Sequence, residues 1–234
     1  MTLPVLEVFS SIQGEGLRLG ERQVFVRLGG CNLCCDYCDE PGSIPLSAGR
    51  PWDEGRLRSE IESLERVRRH VSVSWTGGEP LLHAAALPPL LEWARERGLQ
   101  NYLETNGTIP AALRALAPWI DQVAMDLKLP SATGAQTWRA HEEFLRVMPE
   151  KTFTKVVVTS KTTPEEWARM LELVAAAGTP LVLQPATPAP STREPGAVVG
   201  PPAPERVLEL LLAARARLRD VRLIPQWHPL WGMP

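Results

Sequence analysis

Four cysteines, all that the chain contains, fall within eight residues: Cys31-Asn32-Leu33-Cys34-Cys35-Asp36-Tyr37-Cys38. Taken as Cys31, Cys35 and Cys38 they give a C-x3-C-x2-C spacing in which three thiolates converge from one loop. Thiolates are the usual ligands of a [4Fe-4S] cluster, and three of them leave one iron open to a ligand that is not protein. Cys31, Cys34 and Cys38 form an alternative triad; Cys34 is read here as a spare thiol, packed as a small hydrophobe. Structural zinc uses four ligands, usually two pairs from separate parts of a chain, and no second C-x2-C or histidine pair follows downstream. The opening Met1-Thr2-Leu3-Pro4 lacks the basic region, apolar core and cleavage site of a secretory signal, so reduced thiols and a cytoplasmic location are expected in preference to disulfides.

Other polar groups cluster at predicted turns. Gln13-Gly14-Glu15-Gly16 brackets a carboxylate with glycines, as a turn presenting polar side chains or an ordinary surface loop does. Gln23 to Leu28 alternates as a strand that sets Arg27 on the face opposite Val24 and Val26; its planar fork suits a carboxylate, and a solvated arginine is the alternative. Thr76-Gly77-Gly78-Glu79-Pro80, Asn106, Asp126-Leu127-Lys128, Thr159-Ser160-Lys161 and Gln184 each follow a predicted strand, as ligand contacts or as strand-end caps and surface charges. The last residues, Gln226 to Pro234, are aromatic and proline-rich where an untethered tail is normally polar, so a docked tail is expected.

The elements that must position these groups alternate. Strands are predicted over 23–28, 71–75, 102–104, 122–127, 153–159, 181–183 and 221–224, with helices over 52–70, 81–97, 110–117, 164–177 and 205–218 and a loop over 186–204. Such alternation implies βαβ units and a parallel sheet, whose ligands bind beyond the carboxyl ends of the strands. The helical layer is thin for a closed eightfold barrel, and an open α/β barrel of about six parallel strands fits better. With 234 residues, one domain is the default. A formal charge of -2 argues against a nucleic-acid-coating protein and favours small substrates, and no apolar run reaches the ~18 to 20 residues of a membrane helix.

The cysteine spacing resembles the cluster motif of the radical S-adenosylmethionine (SAM) superfamily. Gln13-Gly14-Glu15-Gly16, Arg27, the Cys-Asn-Leu and Tyr-Cys-Asp contexts and the terminal proline are similar, more narrowly, to the 7-carboxy-7-deazaguanine synthase family, over essentially the whole chain. The resemblance implies a partial, TIM-like parallel barrel of the radical SAM type in one domain, 1–234, with the cluster loop at 31–38 and the tail 225–234 closing the site. It implies a [4Fe-4S] cluster on Cys31, Cys35 and Cys38, and SAM beside Tyr37, Cys38, Asp39, Gly78, Glu79, Asn106, Asp126, Lys128, Ser160 and Gln184. Substrate contacts then fall on Ile12, Gln13, Gly14, Glu15, Arg27, Thr76, His228 and Pro234. The implied reaction turns 6-carboxy-5,6,7,8-tetrahydropterin into 7-carboxy-7-deazaguanine with loss of ammonia, on the route to queuosine and other 7-deazapurines. Its implied partners are the pterin, a one-electron donor such as flavodoxin or ferredoxin, and a second copy of the chain, with no nucleic acid and no membrane.

One position departs from the family pattern. A threonine or serine that ligates Mg2+ usually stands two residues after the last cluster cysteine; here that residue is Glu40, a stronger hard-cation ligand that brings negative charge toward a substrate carboxylate. Mg2+ on Glu40 is the expectation. Two other readings compete with the synthase: an activase that makes a glycyl radical on a partner protein, and a non-enzymatic iron-sulfur or zinc module.

Overall fold

The computed structural model describes residues 1–233, with the side chains of all but 67 and 68. The strands are β1 (Thr2–Ile12), β2 (Arg22–Leu28), β3 (Arg50–Asp53), β4 (Ser72–Gly77), β5 (Gln100–Thr105), β6 (Gln122–Asp126), β7 (Thr152–Val158), β8 (Leu181–Pro185), β9 (Ala189–Pro190), β10 (Val198–Val199) and β11 (Val221–Leu223). The helices are α1 (Glu54–Arg68), α2 (Pro88–Glu96), α3 (Pro110–Leu116), α4 (Pro130–Thr133), α5 (Trp138–Leu145), α6 (Pro164–Ala177), α7 (Pro204–Arg215) and α8 (His228–Trp231).

Nine strands form one sheet in the order β11-β8-β7-β6-β5-β4-β2-β1-β3. From β2 to β11 every pairing is parallel, and β1 runs antiparallel to both β2 and β3. Parallel neighbours require crossovers, which the helices supply, and edges β11 and β3 do not pair with each other. The expected open α/β barrel is therefore present, with its parallel array lengthened by the short β11.

Strand pleating sorts the side chains onto two faces. Val24, Val26, Trp75, Leu103, Met125, Val156 and Leu183 face outward into the main core beneath the helices. On the inner face Tyr102, Ala124, Phe153 and Val182 form a small apolar floor. Two residues further along the same strands, still on the inner face, stand Glu104, Asp126, Lys155 and Gln184. The register sets Asp126 directly opposite Lys155, while Glu104 stands opposite Ala124 and Gln184 opposite Val157, so the polar side chains form a staggered row across the strands. A packed floor beneath polar side chains at the strands' carboxyl ends is the arrangement that holds a ligand.

Several elements differ from expectation for local reasons. Trp52 belongs to β3, and α1 starts at Glu54 because Asp53 caps it, its carboxylate accepting from Arg56 N at 2.8 Å. The expected helix over 81–97 divides into a 3-10 segment, Pro80–Ala86, and α2, where Pro88 and Pro89 interrupt the backbone ladder. The loop over 186–204 contains the β9–β10 hairpin, and α5 and α8 add helix at 138–145 and 228–231. The predicted helix over 164–177 is α6, capped by Thr163, whose hydroxyl accepts from Glu166 N while Glu166 accepts from Thr163 N.

Candidate active site

The cysteine loop is anchored by backbone on three sides. Cys31 N donates to Ile44 O, Asp36 N to Ala132 O, and Cys38 N to Cys35 O, all between 2.8 and 3.1 Å. Cys31, Cys35 and Cys38 line one large cavity at the carboxyl ends of the strands. Cys34 does not line it; its sulfur turns toward the Thr192 hydroxyl, 3.7 Å away, so the three cysteines that share the cavity are 31, 35 and 38. Burial pushes the Cys31 thiol up, that of Cys35 to about 11 and that of Cys38 to about 12. Three convergent, desolvated thiols ionise only beside a compensating cation, and no fourth cysteine completes the set, which fits a [4Fe-4S] cluster with one open iron.

A second clamp comes from the hairpin. The Asp36 carboxylate, 2 % exposed, accepts from Lys161 Nζ at 2.9 Å and from the Ser191 hydroxyl. The Thr192 hydroxyl donates to Cys35 O at 2.7 Å, and Thr192 N to Asp36 O at 3.1 Å. The loop between β8 and α7 thus grips the middle of the cysteine loop.

Behind the thiols, Glu79 organises the ends of β4 and β5. Fully buried, it accepts from Leu81 N at 3.0 Å, the Thr105 hydroxyl at 2.8 Å and Asn106 N at 2.7 Å. Burial outweighs these donors and lifts its carboxyl to about 7. Asn106 in turn donates through Nδ2 to Asn32 Oδ1 at 2.9 Å. Gly78 is pressed so close to Gly30 that a Cβ would lie 2.2 Å from the Gly30 carbonyl oxygen, so only glycine permits this approach.

The inner polar layer holds a chain of charges. Lys128 pairs with Asp126 at 2.8 Å, Lys155 pairs with the same Asp126 oxygen at 3.1 Å, and Lys155 also pairs with Glu15. Burial pushes Glu15 and Asp126 up, but the adjacent lysines hold both carboxyls below their ordinary values. Glu104 accepts from Gln13 Nε2 at 2.9 Å, Ser74 at 2.8 Å and Thr76 at 3.3 Å. Asp126 Oδ1, Tyr37 OH and Gln184 Oε1 are buried with no hydrogen-bond partner among the described residues, and all three residues line the cavity. Buried polar atoms in that condition match a polar ligand.

The tail crosses the cavity mouth. Trp227 N donates to Gly14 O at 3.0 Å, Gln226 Nε2 donates to Glu15 at 2.7 Å, and His228 lies 3.8 Å from Asp39. Arg27 pairs with Glu7 at 2.8 Å and Glu40 at 3.1 Å, and its guanidinium lies over Phe9.

Of the residues expected from sequence, Ile12, Gln13, Gly14, Glu15, Arg27, Thr76 and His228 line the cavity, as do Tyr37, Asp39, Glu40, Gly78, Asn106, Asp126, Lys128 and Gln184. Glu79 does not: it supports the wall from behind. Ser160 does not either, because β7 ends at Val158 and the following turn carries it outward, where its N–H meets Gly200 O and its side chain is exposed. Pro234 lies outside the described residues. Glu104, Lys155, Tyr102, Phe153 and Gln226 line the cavity without having been expected there. Glu104 and Lys155 are each the one charge in their strand, Gln-Asn-Tyr-Leu-Glu-Thr for β5 and Thr-Phe-Thr-Lys-Val-Val-Val for β7, which by itself does not separate a cavity-facing charge from a solvated one.

Comparisons with known proteins decide the family. Residues 25–185 match the model of the radical SAM superfamily. The 7-carboxy-7-deazaguanine synthase of Geobacter sulfurreducens is 39% identical, with 97% of this chain and 96% of that protein covered. This chain belongs to the 7-carboxy-7-deazaguanine synthase family. The synthase of Archaeoglobus fulgidus is 31% identical over 100% of both chains. Among solved structures, QueE from Escherichia coli superposes with a TM-score of 0.64 at 21% identity, covering 97% of this chain and 95% of that one. TYW1 with a lysine-pyruvate adduct bound gives 0.58 at 15% identity, covering 86% and 75%. These two show the shared fold. Membership makes the chain a radical SAM enzyme with a [4Fe-4S] cluster and SAM, acting on a small molecule and needing a reductant. No helix among the described residues is long and apolar enough to cross a membrane.

Proposed function

We propose that this chain converts 6-carboxy-5,6,7,8-tetrahydropterin into 7-carboxy-7-deazaguanine and ammonia. The observation that carries the reading is the meeting, in one cavity, of the three thiols with a set of acceptors and donors of the kinds a pterin carboxylate calls for: Gln13, Glu15, Arg27, Thr76 and His228. A cluster held by Cys31, Cys35 and Cys38, with SAM on its open iron, would supply the one-electron radical chemistry that removes the substrate's C6 hydrogen. The chain's own work is placement and exclusion of water. Tyr102 and Phe153 form the floor, Gln13 and Glu15 hold the pterin's polar edges, Arg27 its carboxylate, and His228 with Pro234 its amine-bearing groups. Tyr37, Asp39, Gly78, Asn106, Asp126, Lys128 and Gln184 face SAM, with Ile12, Gly14 and Thr76 completing the substrate side.

Glu40 is the proposed residue that would hold Mg2+, which would leave Arg27, now paired with Glu40, available to the substrate carboxylate. The chain is proposed to act as one radical SAM domain closed by its tail. Its proposed setting is the cytoplasm, as a homodimer, fed by a flavodoxin or ferredoxin and without nucleic acid. An activase of a glycyl-radical protein has no use for the Gln13, Glu15, Arg27 and His228 set, which separates that reading from this one.

The test is anaerobic turnover of reconstituted protein with SAM, reductant, Mg2+ and the pterin, followed by mass spectrometry. Product and 5'-deoxyadenosine both accumulating supports the reading; SAM cleavage without 7-carboxy-7-deazaguanine removes the substrate assignment.

A further inference from the structure

Lys155 stands where the two halves of the cavity meet. On β7 it is one pleat above Phe153 and in register with Asp126 on β6. Its ammonium is shared between Glu15, from the loop that the tail covers, and Asp126 Oδ2 at 3.1 Å, at the strand end nearest Lys128 and Tyr37. All three side chains are nearly sealed, with exposures of 12% for Lys155, 13% for Glu15 and 14% for Asp126. Glu15 is also held by Gln226 and Gln184, and Asp126 keeps its second oxygen without a partner. The two carboxylates lie within reach of one cation; without it Asp126 keeps Lys128, while Glu15 is left with the amides of Gln184 and Gln226 and faces the Asp126 carboxylate unneutralised.

We propose that Lys155 is a positioning residue that fixes the substrate-side carboxylate Glu15 relative to the SAM-side carboxylate Asp126, and so keeps cleavage of SAM coupled to reaction of the pterin. The inference rests on the assignment of substrate and SAM to the two sides made above. Hydrogen transfer between two bound molecules depends on their approach, and a misplacement of about 1 Å costs about a hundredfold in rate. With Lys155 gone, Glu15 moves away from Asp126, the pterin shifts with it, and SAM is cleaved without the substrate being used.

Two readouts test this. Cluster-free protein is titrated calorimetrically with 6-carboxypterin, and reconstituted protein with SAM, dithionite, Mg2+ and 6-carboxytetrahydropterin is assayed for the ratio of 5'-deoxyadenosine to 7-carboxy-7-deazaguanine. Lys155→Met is expected to weaken 6-carboxypterin binding and to raise that ratio by at least about tenfold each, whereas Lys155→Arg, which keeps the cation, restores most of both. Lys155→Gln is read by the same criteria if Lys155→Met does not fold. A merely structural role lowers both products in proportion, so an unchanged ratio, or unchanged binding of 6-carboxypterin, overturns the proposal. If wild-type protein itself cleaves SAM and forms no product, the substrate assignment fails and this inference falls with it; a wild type that makes product beside a variant with normal ratio sinks this inference alone.

Discussion

The Glu40 carboxylate sits 3.1 Å from the Arg27 guanidinium, so the arginine proposed to receive the substrate carboxylate already holds a carboxylate of the chain itself. An incoming acid competes with Glu40 unless a divalent cation takes Glu40 up. Wild-type, cluster-free protein should therefore bind 6-carboxypterin more tightly when Mg2+ is added. Glu40→Gln should bind about two- to fivefold more tightly than wild type without Mg2+, the worth of a partly exposed ion pair, and should not respond to the metal. Calorimetry with and without Mg2+ decides it; equal affinities in all four titrations would remove both the competition and the metal from Glu40.

Asn106 is gripped from two sides, by Glu79 through its N–H at 2.7 Å and by His141 Nε2, which donates to its carbonyl at 3.1 Å. Burial raises Glu79 to about 7 and lowers His141 to about 4, both from the desolvation of a charge. The folded state thus binds more protons at Glu79 than the unfolded chain between the ordinary value of 4.5 and about 7, so stability falls as pH rises through that window. His141 acts oppositely: its contribution is present above 6.5 and lost as pH falls toward about 4. Glu79→Gln should be less stable overall by roughly 1 to 3 kcal/mol, because the amide nitrogen meets the Asn106 or Leu81 N–H. In urea titrations its stability should rise from pH 4 to about 6.5 and then level, where wild type declines toward about 7. A variant that declines as wild type does would show that Glu79 is not the group that titrates.

The same loop shows what sequence conveys and what it withholds. Cys31, Cys35, Cys38 and Gly78 announce themselves through spacing, since local chain geometry alone brings the thiols together and permits the close approach to Gly30. The parallel strands are legible either as alternation, as in β2 and β4, or as short apolar runs, as in β7 and β8. β3, with the sequence Arg-Pro-Trp-Asp, has no such pattern; it is an edge strand, where proline is tolerated. Lys155 is harder still. Its partner Glu15 lies 140 residues away, and nothing local distinguishes a lysine that spans a cavity from one that reaches water. Ser160 fails in the opposite direction: a strand end placed one residue late turns a solvent-facing serine into an expected ligand contact.

The grip of the hairpin on the cysteine loop predicts a change in cluster retention. Asp36 joins Lys161, Ser191 and the backbone of Thr192 to the middle of the loop; although burial pushes its carboxyl up, the Ser191 hydroxyl and Lys161 leave it below its ordinary value. Asp36→Ala removes the Lys161 and Ser191 contacts, keeps the two Thr192 bonds to the Cys35 and Asp36 carbonyls, and loosens the loop between Cys35 and Cys38. Reconstituted protein should lose iron to a chelator several-fold faster than wild type, roughly the effect of removing about 1 kcal/mol of local hold. Asp36→Asn, which still accepts from Ser191, should fall between. Identical iron-release rates in all three proteins would mean that the loop is held by its backbone bonds alone.

The tail offers the most direct handle on closure of the cavity. A Cβ on Gly14 would lie 2.7 Å from His228 Nδ1, 2.8 Å from its Cβ and 2.9 Å from its backbone nitrogen, so the contact cannot be relieved by turning a side chain. Gly14→Ala must lift the tail from the Gln13 to Gly16 loop and break the bond from Trp227 N to Gly14 O. Because Gln226 and His228 come from that tail, Glu15 and Asp39 lose their partners across the mouth at the same time. The expected result is cleavage by a nonspecific protease after residues of 226–233 at a rate at least about tenfold above wild type, with 6-carboxypterin binding weakened in parallel and the thermal midpoint of the remaining protein little changed. Faster proteolysis with undiminished pterin affinity would show that the tail covers the cavity without contributing to recognition, and unchanged proteolysis would show that the loop yields instead of the tail.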